Sequence, residues 1–344
     1  MMQAAIHRVV AGGNLSEEEA GRVMEEMMSG RASAAQIAAL LTALRLKGET
    51  VEEITGFARV MRRLATPVHC RFPMAVDTCG TGGDGAGTFN ISTAAALVIA
   101  GAGVPVAKHG NRAASSRCGS ADVLEALGVE LDLSPAALEG CLEEVGMTFL
   151  FAPALHRAMK HAAGPRREIG IRTVFNLLGP LTNPAGAGAQ VLGVYDPELV
   201  PVLARVLVRL GVRRAFVVHG AGGLDEVSLA GPAVVSEVKE GEVRDYMLDP
   251  TACGLPEAPV EVLAGGDVEE NAAIVREILH GAGGPRRDAV LINAALGLVA
   301  AGAAADIPSG LTLAAASIDS GAARAKLEAL VDYTRRAAKR VASL

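Results

Sequence analysis

The segment Asp77-Thr78-Cys79-Gly80-Thr81-Gly82-Gly83-Asp84-Gly85-Ala86-Gly87-Thr88-Phe89-Asn90-Ile91-Ser92-Thr93 interleaves glycines with hydroxyls, an amide and carboxylates. An aliphatic run leads into it, and a helical run leaves it from about Ala94. Glycines between a strand and a helix let backbone N–H groups close on an anion, and the helix N-terminus adds a favourable dipole. Thr88, Asn90, Ser92 and Thr93 supply side-chain donors, and the Ser92 oxygen can also face a metal. The pattern predicts a cradle for phosphate or diphosphate. It is neither a Walker A loop, since no Gly-Lys-Ser/Thr follows, nor a GxGxxG dinucleotide fingerprint.

Three further segments carry charge. Lys108-His109-Gly110-Asn111-Arg112, continuing to Arg117-Cys118-Gly119-Ser120, follows a second aliphatic run at 104–107. It should therefore line the same sheet edge, where α/β proteins bind ligands. Lys108, Arg112 and Arg117 gather positive charge suited to a highly phosphorylated substrate. Gly222-Gly223-Leu224-Asp225-Glu226 follows the run 215–218. Adjacent carboxylates in such a loop suit Mg²⁺, which takes one or two carboxylates and fills its octahedron with water and substrate phosphates. No His/Cys cluster suggests zinc. In Gly164-Pro165-Arg166-Arg167, guanidinium forks match a planar carboxylate.

The elements that must position these groups are also readable. Ser16-x-x-Glu19, Ser33-x-x-Gln36 and Thr50-x-x-Glu53 are capping boxes opening three helices, with Gly30 and Gly48 closing the first two. Ile37, Leu40, Leu41 and Leu44 predict one buried face on the second. From about Pro73, short aliphatic runs at 74–76, 104–107, 148–151, 190–194 and 215–218 alternate with helical segments, as in a parallel sheet covered on both faces. Ser120 is expected to cap a helix over 121–127, and Ser134-Pro135 to start another. The run 233–247 reads as a hairpin around Glu240-Gly241, and Asp267 as the cap of a helix-rich remainder.

The chain has 344 residues, 50% hydrophobic, which excludes a wholly disordered protein. Aromatics are only 3% and the net charge is -6, which argues against a nucleic-acid partner. The longest apolar stretch, 94–107, is broken by glycine and proline and falls short of the about 20 residues of a membrane span. Cys70, Cys79, Cys118, Cys141 and Cys253 are scattered without a CxxC pair, and no signal-peptide pattern opens the chain, so a cytoplasmic setting is expected.

Taken together and in this order, Gly80-Thr-Gly-Gly-Asp84, Lys108-His-Gly-Asn-Arg112 and Gly223-Leu-Asp-Glu226 resemble the anthranilate phosphoribosyltransferases of tryptophan biosynthesis. The resemblance spans essentially the whole chain, including Gly265-Gly-Asp-Val-Glu-Glu-Asn271. It implies a small all-helical domain, 1–72, joined by a returning segment within 154–184. A larger α/β domain, 73–344, would carry a mostly parallel sheet of the nucleoside phosphorylase/phosphoribosyltransferase type. It implies a homodimer that moves the phosphoribosyl group of phosphoribosyl pyrophosphate (PRPP) onto anthranilate, with two Mg²⁺ per site. By position, Gly80, Gly83, Asp84, Thr88, Asn90, Ile91, Ser92, Thr93, Lys108 and Ser120 would bind PRPP. Ser92, Asp225 and Glu226 would hold metal; Gly80, His109, Asn111 and Arg166 would meet anthranilate, with Arg167 the open alternative to Arg166. Two departures stand out: Arg157 replaces the usual Pro after His156, and Gly164-Pro165 replaces Pro-Val. A pyrimidine nucleoside phosphorylase would not need Asp225-Glu226. A non-catalytic nucleic-acid-binding relative should be basic, whereas this chain is acidic.

Overall fold

A computed structural model describes residues 1–113 and 117–342; Ser115 and Ser116 of the second charged segment lie outside the described residues. The chain opens with α1 (Met2–Val10), α2 (Glu17–Met28), α3 (Ala34–Lys47) and α4 (Val51–Leu64). All three capping boxes close: Ser16, Ser33 and Thr50 accept the N–H of Glu19, Gln36 and Glu53, whose side chains take the cap N–H in return. Gly30, at φ 74°, ends α2 in a Schellman pattern, its N–H on Met27 O and that of Arg31 on Glu26 O. Gly48 differs: its φ of 86° comes with ψ of 130°, outside the left-handed helical region. Ile37, Leu40, Leu41 and Leu44 are buried as their spacing requires.

The second part runs β1 (Val76–Gly80), α5 (Ile91–Gly101), β2 (Val106–Gly110), α6 (Ser120–Ala126), α7 (Pro135–Val145), β3 (Met147–Phe151) and a short α8 (Ala152–Leu155). Next come α9 (Lys160–Ile169) and α10 (Val174–Leu181), followed by β4 (Ala189–Gly193), α11 (Leu199–Arg209) and β5 (Arg214–His219). The hairpin β6 (Ala233–Lys239)–β7 (Glu242–Leu248) turns at Glu240 and Gly241, both at positive φ, as a two-residue turn between twisted strands prefers. Four helices close the chain: α12 (Val268–Leu279), capped by Asp267, α13 (Pro285–Ala300), α14 (Ile307–Asp319) and α15 (Ala322–Ala342). Among the described residues no helix is long and apolar enough to cross a membrane.

The sheet order is β3-β2-β1-β4-β5-β6-β7, parallel through β5 and antiparallel beyond it. From β1 the chain builds outward first on one side and then on the other. The carboxyl ends of β1 and β4 therefore flank the point where the order reverses, the crevice at which such sheets bind ligands.

Successive strand residues feed opposite cores. Val191, Phe216 and Val218 join the layer of α5, α13 and α15. Leu192, Ala215 and Val217 join a core that continues through Leu203 and Leu207 of α11 into Leu40, Leu44 and Phe57 of the helical bundle. α9 packs on α2 and α3, and α10 on α3 and α4, so a segment from the middle of the chain completes the bundle. Arg62 of α4 fastens that contact by donating from Nε to Leu181 O at 2.7 Å.

Four boundaries differ from the sequence reading. β1 and β2 run on to Gly80 and Gly110, so Asp77, Lys108 and His109 are strand residues and buried, not loop residues. α5 begins at Ile91, which places Ser92 and Thr93 in its first turn. Ser120 does not cap α6: Gly119 is the cap, the Asp122 carboxylate accepts its N–H at 2.9 Å, and Ser120 Oγ donates instead to Asn111 O at 3.3 Å. An aspartate three residues past a glycine serves the helix end as well as a serine cap would, and propensity alone does not choose between them.

Candidate active site

A cavity of about 350 Å³ opens at the carboxyl ends of β1 and β2 and is walled by three of the charged segments, the glycine loop and α10. Gly80, Gly83, Asp84, Thr88, Asn90, Ser92, Thr93, Lys108, His109, Asn111, Ser120, Arg166, Asp225 and Glu226 all line it. Ile91 does not: its side chain is fully buried in the core beneath α5. A residue one place from Asn90 on a helix faces elsewhere, so only its backbone is near the cavity.

Asp225 and Glu226 are delivered by the loop after β5. The Asp225 carboxylate accepts the Gly82 N–H at 2.7 Å, and Glu226 Oε1 accepts the Ser92 N–H at 3.2 Å. Burial, and then the charges of the neighbouring acids, push both carboxyls above the usual carboxylate range. The carboxyl of Asp84 faces Asp225, and its Oδ2 is buried with no hydrogen-bond partner among the described residues. Three acids facing one another at a cavity wall, one oxygen orphaned, suit a divalent cation. Among the described residues no group of three His, Cys, Asp or Glu side chains is placed to hold a metal ion by itself.

The cations divide unequally. Lys108 is buried, with Nζ donating to Thr78 O and lying 3.5 Å from Ser92 Oγ; Thr78 Oγ1 in turn donates to Ser92 O at 2.9 Å. Arg112 is spent elsewhere: its guanidinium pairs with Asp122 at 3.0 Å and Glu125 at 2.7 Å on α6. Arg117 is exposed. The local positive charge expected of all three is thus concentrated in Lys108.

Arg166 reaches the cavity from α9 with its guanidinium 4.8 Å from the Phe175 ring centre and no ion-pair partner among the described residues, and burial lowers its pKa. Arg167 is exposed and off the cavity. His109 lies 5.1 Å, ring centre to ring centre, from His156. Burial, then repulsion from His156, pushes the His109 imidazole down to about 3, and burial pushes His156 down to about 4, so both are neutral.

Sequence reasoning missed the part played by Phe175, Asn176, Gly179 and Pro180, which form the α10 wall; the Gly-Pro pair inside a helical run was the available signal. It also missed Asn293, whose amide holds both the N–H and the C=O of Val227, at 3.1 and 2.8 Å, and so fixes the loop of Asp225 and Glu226 to α13. A buried amide in an otherwise apolar helix was the trace it left.

Residues 73–324 match the glycosyl transferase family a/b domain, and residues 3–65 the helical bundle domain of the same family. The anthranilate phosphoribosyltransferase of Pelotomaculum thermopropionicum is 69% identical over 334 residues, 97% of each chain. The chain belongs to the anthranilate phosphoribosyltransferase family. The solved family structure from Thermus thermophilus superposes with a TM-score of 0.92 at 50% identity, over 96% of this chain and 99% of that one. The Saccharomyces cerevisiae family member, solved with PRPP and Mg and separately with 4-fluoroanthranilate, gives TM-scores of 0.89 and 0.87 at 30% and 29% identity, over 97% of this chain and 98% of each. The family's two-part build, a helical bundle beside an α/β domain with a mostly parallel sheet, is the architecture described above.

Proposed function

We propose that this chain transfers the 5-phosphoribosyl group of PRPP to the amino group of anthranilate, giving N-(5-phosphoribosyl)anthranilate and pyrophosphate in tryptophan biosynthesis. The observation that carries the reading is one cavity, in a chain of this family, walled by a glycine loop, a trio of acids and an unpaired arginine. Loss of pyrophosphate from C1 of the ribose builds negative charge on the leaving group and positive charge on the sugar, so the demand is electrostatic.

Gly80, Gly83, Asp84, Thr88, Asn90, Ser92, Thr93, Lys108 and Ser120 take PRPP, together with the backbone of Ile91. Asp225, Glu226 and Ser92 hold Mg²⁺, two ions per site, with water and substrate oxygens filling the remaining positions. Bound there, Mg²⁺ supplies positive charge against the departing diphosphate. Loop N–H groups and Lys108 add to that field. Arg166 orients anthranilate by its carboxylate, beside Gly80, His109 and Asn111. Orientation is a large share of a two-substrate reaction, and the aniline nitrogen is already neutral, so no side chain is assigned as a general base. Neutral His109 suits a wall that must not compete with Arg166 for the carboxylate.

The setting is cytoplasmic and the working form a homodimer. The face of α1 and α3, where Val10 and Leu46 are 69% and 83% exposed beside Ala38 and Ala39, supports a second copy there. Fluorescence of the product, followed with PRPP, Mg²⁺ and anthranilate and with each omitted in turn, tests the assignment. Turnover that needs all three is expected, and turnover without PRPP sinks it.

A further inference from the structure

The segment 265–271 contributes no residue to the cavity wall, yet it is tied to the glycine loop at several points. Thr88 bridges Ala264 in antiparallel fashion, Phe89 N–H donates to Leu263 O at 3.1 Å, and Gly265 N–H donates to Gly87 O at 2.9 Å. The approach is close enough that a β-carbon on Gly265 would lie 2.8 Å from the Phe89 backbone, which explains a glycine there. Beyond this strap stands Asn271, 2% exposed.

The Asn271 amide is oriented by the backbone. Its Oδ1 accepts the Gly266 N–H at 2.8 Å, and an N–H can only donate, so Nδ2 must face the other way. There it donates to Asn90 Oδ1 at 3.2 Å. Asn90 Nδ2 then donates to Cys118 O at 3.2 Å, and a carbonyl can only accept. The chain Gly266–Asn271–Asn90–Cys118 is pinned by a backbone donor at one end and a backbone acceptor at the other, with one consistent direction throughout. Among the described residues the other hydrogen of Asn90 Nδ2 meets no acceptor, and Asn90 lines the cavity.

We propose that Asn271 is a positioning residue for PRPP: it fixes the Asn90 amide so that an N–H, and not a C=O, meets the anionic substrate. The inference rests on the reading that Asn90 binds PRPP. A flipped Asn90 would present a lone pair to a phosphate oxygen, turning an attractive contact into a repulsive one.

The test uses Asn271→Asp, which keeps the acceptor for Gly266 but has no hydrogen for Asn90, and so favours the flip. The KM for PRPP is expected to rise about 10-fold or more. The kcat should stay within about threefold and the anthranilate KM within about twofold, a split that a general loss of structure would not give. Asn271→Ala, which adds no charge, serves if the aspartate variant does not fold, with a smaller rise of about threefold expected. Asn90→Ala is the control for the underlying reading. If it raises the PRPP KM while both Asn271 variants keep the native value, Asn271 does not position Asn90 and the proposal is overturned. If Asn90→Ala itself keeps the native PRPP KM, Asn90 does not bind PRPP and the proposal falls with that reading.

Discussion

Asp225 lays its carboxylate against the α-carbon of Gly80, so closely that a β-carbon there would overlap Oδ2 and stand 2.9 Å from Cγ. The same carboxylate accepts the Gly82 N–H at 2.7 Å, so the metal-side acid and the phosphate-side loop support each other across the switch point of the sheet. Gly80 is not at positive φ; the space it leaves, not its flexibility, is what the site uses.

Gly80→Ala should therefore fold but push Asp225 aside. Outer-shell displacements of this kind cost about 10- to 100-fold in metal affinity or activity. The expected outcome is a loss of that size in kcat/KM for PRPP, together with a higher Mg²⁺ requirement in a titration of initial rate. A native Mg²⁺ profile would show that Asp225 is not held by this contact in solution.

The double substitution Asp225→Asn, Glu226→Gln separates function from stability. Burial, and then repulsion from Asp84 on Asp225 and from Asp225 and Asp84 on Glu226, push both carboxyls up, so in the absence of a cation they strain the folded state. The variant should melt at a higher temperature than the parent without Mg²⁺, gain nothing when Mg²⁺ and PRPP are added, and lose most activity. Thermal melts with and without ligands, paired with initial rates, read all three effects. A double mutant that retained full activity would remove the metal assignment.

Much of this arrangement was legible beforehand because its signals are local. Capping boxes, the Glu240-Gly241 turn and the glycine-rich loop each declare themselves within a few residues, and all three appear in the structure. What stayed hidden depends on partners far along the chain. Nothing near Lys108 says that it is a strand residue reaching Thr78, and nothing near Arg112 says that α6 will supply Asp122 and Glu125 to neutralise it. The roles of Asn293 and Asn271 stayed hidden for the same reason: each acts on a loop that only the fold brings near.

Arg166 and Arg167 are adjacent in sequence and opposite in setting, which makes them a matched pair for experiment. Arg166→Ala should raise the anthranilate KM at least about 10-fold while leaving the PRPP KM within about twofold, because a lone guanidinium at a cavity wall has a carboxylate to meet. Arg167→Ala should behave like the parent, being exposed. Initial rates against each substrate decide it; equal losses for both substrates in Arg166→Ala would argue against a carboxylate contact.

The imidazoles of His109 and His156 set an acid limit on stability. His156 lines a small cavity together with Met28 and Met61 of the bundle, so its charge state bears on how this segment packs against the bundle. Both groups are pushed down, to about 3 and about 4, by burial, and His109 further by His156. Each binds fewer protons folded than unfolded, so its contribution is complete above the unfolded value of about 6.5 and is lost as pH falls from there toward the folded value. By pH 5 the loss is on the order of 2 kcal/mol for each imidazole. Asp77, Asp225 and Glu226, with carboxyls pushed up, act in the opposite sense over the acid range, so the raw pH slope mixes the two effects. Comparison with a variant isolates the imidazole part. The fall in urea midpoint between pH 7 and pH 5 should be smaller in His156→Gln than in the parent, because a glutamine has no proton to refuse. An identical fall in both proteins would mean that the imidazole is not what acid attacks.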